Sequence, residues 1–136
     1  MKKIICTVFL FSSVFFFSQK NQNYIQVSYS SICCGTPSTQ PLMDYVKQFE
    51  KKNKLKPLEI LRQSGLGREG EFNLYIGIDK LSKKKKTTFL KGLQSALSSQ
   101  NEKRKKDRDG HVNLDSAVTV HGSDLKDIKN LTIYKK

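Results

Sequence analysis

The sequence lacks a recognisable catalytic set. It has two histidines, no nucleophile-elbow motif, no paired carboxylates on a recognisable scaffold and no phosphate loop, so no acid, base and nucleophile can be named together. Function has to be argued from the chemistry of a site rather than from fold, and on that ground no enzymatic activity is expected. The chain also lacks an apolar run of the roughly 20 residues that a membrane-spanning helix needs. Its longest such run, Ile4 to Phe17, has 14 residues. Acidic residues are scarce, 12 against 25 basic, which leaves a formal net charge of +13.

The apolar run itself is informative. Lys2 and Lys3 lead straight into it and Ser18 closes it, which is the pattern of an export signal. The expected organisation is a secretory signal peptide over 1–18, cut between Ser18 and Gln19, followed by one small α+β domain over 19–136 in the periplasm or outside the cell. Cys6 lies too near the start to be a lipoprotein's attachment cysteine. The remaining 118 residues carry 23 basic and 12 acidic side chains, a formal charge of +11, and are long enough to bury a modest core. Such an excess attracts anions at long range. The partners it predicts are an anionic lipid surface, an acidic polysaccharide, extracellular nucleic acid or an acidic protein. Export excludes a nuclear role for the lysines, and the basic stretches lack the interleaved aromatics that stack on bases, so sequence-specific nucleic-acid binding is not expected.

Periodicity supplies the fold class. Tyr24 to Tyr29 alternates apolar Ile25, Val27 and Tyr29 with polar Gln26 and Ser28, which reads as a half-buried strand. Ser38 or Thr39 then caps a helix with Pro41 in its first turn and a stripe of Leu42, Tyr45, Val46 and Phe49. Leu58 to Arg62 predicts a second strand. Phe72 to Asp79 predicts a third, with Phe72, Leu74, Ile76 and Ile78 on one face. A second helix is expected over Ser82 to Ser99, with Phe89, Leu93, Ala96 and Leu97 on its apolar face and Gly92 weakening it slightly. Residues 101–110 are almost wholly charged and read as a mobile basic loop. Strands are expected within 112–120 and over 131–134. The order strand, helix, strand, strand, helix, strand predicts a ferredoxin-like split β-α-β sandwich, both helices on one face of an antiparallel sheet, with an extra C-terminal strand.

Three sets of residues are candidates for chemistry. Cys33 and Cys34, the cysteines left after cleavage, sit between the first strand and the first helix. A thiolate there could do redox chemistry, the pair could hold Cu(I) or another soft metal, or the two could form a disulfide that a thiol can reopen. Their position resembles that of the metal-binding cysteines of heavy-metal-associated domains, and this resemblance, which covers strand order and loop position, implies soft-metal binding. Those domains separate the two cysteines by two residues, whereas here they are adjacent. His111 and His121 are the imidazoles available to join such a site.

The second set is Gly65-Leu66-Gly67-Arg68-Glu69-Gly70, which matches the dinucleotide fingerprint by letter. That motif works by turning a strand into a helix, and here a strand follows, so a hairpin loop is expected with Arg68 and Glu69 at its tip. The third set is the basic segment from Lys80 to Arg108, with eleven basic and two acidic residues. Lys83, Lys84, Lys85 and Lys86 open the second helix; Lys103, Arg104, Lys105 and Lys106 follow its end. Cations in a first helical turn oppose the helix dipole at a cost of about 0.3 to 1 kcal/mol each. Helix stability alone would not choose that placement, and the sequence therefore predicts an anion-binding surface there.

Overall fold

The computed structural model describes residues 22–136, so the expected signal peptide over 1–18 lies outside the described residues. The described elements run β1 (Asn23–Ser30), α1 (Gln40–Lys52), β2 (Ile60–Gln63), β3 (Phe72–Gly77), α2 (Lys83–Glu102), β4 (His111–His121), α3 (Gly122–Leu125) and β5 (Leu131–Ile133). The strands form one sheet in the order β4-β1-β3-β2-β5, and every pairing is antiparallel. The fold is therefore α+β. Its sheet carries β5 beyond β2, so the order differs from that of a plain four-stranded ferredoxin-like sheet.

Alternation decides which residues enter the core. Ile25, Val27 and Tyr29 of β1, Phe72, Leu74 and Ile76 of β3, and Val112 and Leu114 of β4 share one buried cluster with Leu42, Val46 and Phe49 of α1 and Phe89, Leu93 and Leu97 of α2. Each fully buried apolar side chain of this kind stabilises by about 1.5 to 3 kcal/mol relative to exposure. Met43 joins the core from α1, while Tyr45 lies at its margin and donates its hydroxyl to the carbonyl of Phe89, 2.9 Å away. Tyr45 lies over Gly92 of α2, so the two helices approach closely where α2 has no side chain. Among the described residues no helix is long and apolar enough to cross a membrane.

Several details of the elements differ from the sequence expectation; β3, for one, ends at Gly77 rather than Asp79. β2 begins at Ile60 rather than Leu58, because Leu58 N–H donates to the Glu50 carboxylate at 2.7 Å instead of to a strand. α2 continues to Glu102, past Ser99, because the Asn101 side chain bonds both the N–H and the carbonyl of Val112, at 3.0 and 2.7 Å, and ties the last turn to β4. β4 is interrupted: Ile25 pairs with Thr119 and Val27 with Leu114, so Gln26 faces the bulged stretch 115–118.

The sequence reading missed α3 and what lies beneath it. Tyr24, Leu61 and Tyr75 point to the sheet face opposite α1 and α2, where Leu125 of α3 buries them with help from Val120, Ile128 and Leu131. The face thus divides into an apolar part under α3 and a polar part in which Tyr75 Oη and Asn73 Nδ2 both donate to Gln63 Oε1.

Candidate functional site

α2 separates the basic segment into two clusters. At a rise of 1.5 Å per residue its twenty residues span about 30 Å, so Lys83 to Lys86 and Lys103 to Lys106 lie at opposite ends of one helix. Ser82 caps the first end, its hydroxyl accepting from Lys85 N–H at 3.4 Å. No acidic residue sits in that first turn and no basic residue in the last, the reverse of what the dipole favours. Lys86 approaches Asp79 at 3.6 Å. Among the described residues Lys83, Lys84, Lys85, Lys103, Lys105 and Lys106 make no ion pair.

The second end is organised around Asp109. Its carboxylate accepts from Lys105 N–H at 2.8 Å and from Arg108 Nε at 3.0 Å, and its carbonyl accepts from Arg104 Nη1 at 3.1 Å. The Lys105 backbone bond first, then the Arg108 bond, hold the Asp109 carboxyl below the ordinary carboxylate range. Within the segment expected as a basic loop, the first two residues belong to α2 and the rest holds a turn with these hydrogen bonds.

This turn meets the cysteines. A cavity of about 260 Å³ lies between the β1–α1 loop, which contributes Cys34, Gly35 and Pro37, and the α2–β4 turn, which contributes Lys103, Arg104 and Arg108. Cys33 and Cys34 are joined as a disulfide with Cα atoms 3.8 Å apart, and both residues are exposed. Gly35 follows with φ of +95°, the left-handed region in which glycine meets no steric cost, and its N–H donates to Ser31 Oγ at 3.2 Å. Gly110 closes the opposite wall so tightly against the backbone of Ser30 and Ser31 that a methyl group there would overlap the Ser30 carbonyl. Gln100 Nε2 donates to the Ser38 carbonyl at 2.8 Å, a second tie between α2 and the same loop.

The structure thus brings Cys34, with Cys33 bonded to it, together with Lys103, Arg104 and Arg108, and places Lys83 to Lys86 away from them. The histidines separate as well. His111 begins β4 beside Ser30, whose Oγ lies 2.9 Å from its Nδ1, whereas His121 ends β4 with its Nδ1 2.7 Å from Asn23 Oδ1. β1 between their partners, Ser30 and Asn23, advances seven residues, which separates the two histidines by roughly 23 Å. They do not share a site, and the disulfide already occupies both sulfurs. Among the described residues no three histidine, cysteine, aspartate or glutamate side chains converge as ligands for a metal ion.

Residues 64–71 join antiparallel β2 and β3, with Gly65 and Gly70 at positive φ and Arg68 and Glu69 exposed. No helix follows them to present its N-terminus to a pyrophosphate. Asn101, Asp109 and Gly110 escaped the sequence reading. The Asp-Gly pair is an ordinary turn signal, and nothing local announces that it closes against Ser30. Comparison with protein families, curated proteins and solved structures finds no match for this chain.

Proposed function

We propose that this is an exported, non-catalytic binding protein that engages an extended anionic partner, a polysaccharide or a charged surface, along α2. The observation that carries this reading is the spacing of two cationic clusters at the ends of one helix, about 30 Å apart. Between Lys83 and Asn101 the helix carries no acidic residue, and Lys91 is exposed partway along. A partner with regularly spaced negative charge can contact both ends at once, and joining two weak contacts raises affinity without any new chemistry. The same reading assigns the sheet to the ferredoxin-like split β-α-β class with β5 added, on the support of a helix after β1 and another after β3.

Sulfated oligosaccharides of increasing length test the proposal. Affinity is expected to climb until the chain reaches about 30 Å and then level off. Replacing Lys83 to Lys86 with glutamine, or Lys103 to Lys106 with glutamine, is expected to remove the length dependence while leaving weak, salt-sensitive binding. Affinity that is independent of length, or unchanged in both variants, would sink the idea.

A second reading, thiol-redox chemistry at Cys33 and Cys34, is supported by the exposure of the disulfide. Cu(I) binding by the same pair would require its prior reduction.

A further inference from the structure

The Cys33–Cys34 bridge is poorly placed to act as a staple. A disulfide stabilises mainly by removing freedom from the unfolded chain, and the effect grows with the loop it closes. This one joins residues one apart in sequence, so it closes almost no loop. It is also exposed, and one wall of the adjoining cavity carries Lys103, Arg104 and Arg108. A bridge that contributes little to folding, stands open to solvent and borders a cationic cavity has the attributes of a reaction site.

We infer that this cavity is a thiol–disulfide exchange site for acidic thiols, small molecules or peptides that carry a carboxylate beside the sulfhydryl. The inference rests on the thiol-redox reading and names its substrate class. The cations perform two tasks. They attract and hold the carboxylate, which places the thiol against Cys34, the member of the pair that lines the cavity. They also stabilise negative charge on sulfur, favouring the attacking thiolate and the Cys34 thiolate released in the second step.

In the first step the substrate thiolate forms a bond to the sulfur of Cys34. The Cys33–Cys34 bond breaks, and its electron pair leaves on Cys33 as a thiolate, which takes a proton from water. In the second step another substrate thiolate attacks the substrate sulfur of that mixed disulfide and releases the Cys34 thiolate, which also takes a proton from water. Two thiols are thereby oxidised to one disulfide, and the protein is reduced by two electrons to its dithiol form. Asp109 tempers this field, since it pairs with Arg108 at 3.0 Å, which leaves Lys103 and Arg104 as the cations toward the incoming carboxylate.

The test compares glutathione, which carries net negative charge, with cysteamine, which carries positive charge, on the oxidised full chain. Mass spectrometry follows opening of the bridge, and rates are expressed per thiolate. The ratio of the glutathione rate to the cysteamine rate is expected to fall about tenfold between low and high salt, as electrostatic attraction predicts. The same fall is expected at low salt when Lys103 and Arg104 are both changed to glutamine. The salt comparison needs only the wild type, so it stands even if the variant folds poorly. A ratio indifferent to salt overturns the acidic-thiol assignment while leaving thiol chemistry in place. Absence of exchange with either thiol overturns both, and neither result touches polyanion binding by α2.

Discussion

Changing Gly92 to alanine sets two effects of opposite sign against each other. Helix propensity favours alanine over glycine by about 0.5 to 1 kcal/mol in a helix interior, and Gly92 lies well inside α2. The packing of α1 opposes it. A methyl group on Gly92 would lie 2.7 Å from Tyr45 Cε2 and Cζ, and closer still to its hydroxyl. Tyr45 would have to swing away, breaking its 2.9 Å bond to the Phe89 carbonyl and its contacts with the Phe49 and Phe89 rings at 6.1 and 5.5 Å. The hydrogen bond contributes about 0.5 to 1.5 kcal/mol, and the aromatic contacts about 0.5 to 1.5 kcal/mol. Gly92→Ala is therefore expected to destabilise by about 1 kcal/mol net. In a Tyr45→Ala background the obstruction is gone and the same change should stabilise by about 0.5 to 1 kcal/mol. Urea unfolding of the four proteins of this cycle measures both values. Stabilisation in the wild-type background, or the same sign in both, would refute the argument that close helix approach requires Gly92.

Three further outcomes follow from the same kind of reasoning. Gly110→Ala is expected to destabilise by about 1 to 3 kcal/mol, because backbone rather than a side chain must give way, and to slow exchange at Cys34 by displacing the basic wall; denaturation and thiol kinetics check the two parts. Glu50 accepts from Leu58 N–H and pairs with Lys136, its side chain only 12% exposed, so Glu50→Ala should cost about 2 to 3 kcal/mol in thermal or chemical unfolding and Glu50→Gln clearly less, since glutamine keeps an acceptor for Leu58. For Asp109 the folded-state pKa lies below its ordinary value of 3.8, so its contribution is present above that value and is lost as the pH falls through the lowered one. Amide exchange at Lys105 should therefore separate wild type from Asp109→Asn at neutral pH and converge as the pH falls through that lowered value.

Local pattern made the helix-facing half of the fold legible. β1 and β3 alternate cleanly, and α1 and α2 carry apolar stripes at helical spacing, so each element announces the face that it buries. The other face was not legible, because Tyr24, Leu61 and Tyr75 occupy the alternate positions that the pattern assigns to solvent, and Leu125, Ile128 and Leu131 are scattered through a charged stretch without a period. The basic segment reads as one surface because its lysines are close in sequence; the rise of α2 pulls them to its two ends. The cavity was hidden for the converse reason. Cys34 and Arg104 meet because β1 pairs with β4, Ser30 opposite His111, and no local signal specifies that partner.

That pairing also sets an order of assembly. Adjacent cysteines need only each other to close a bridge, so Cys33 and Cys34 can be oxidised in a chain that has not yet folded. The basic wall arrives later. It takes its place once β4 docks on β1, bringing together residues 81 to 98 positions apart, and contacts of such long separation are the slow ones to form. The pair can thus acquire its first oxidation state while the chain is still open, and folding adds the cations that act on it afterwards.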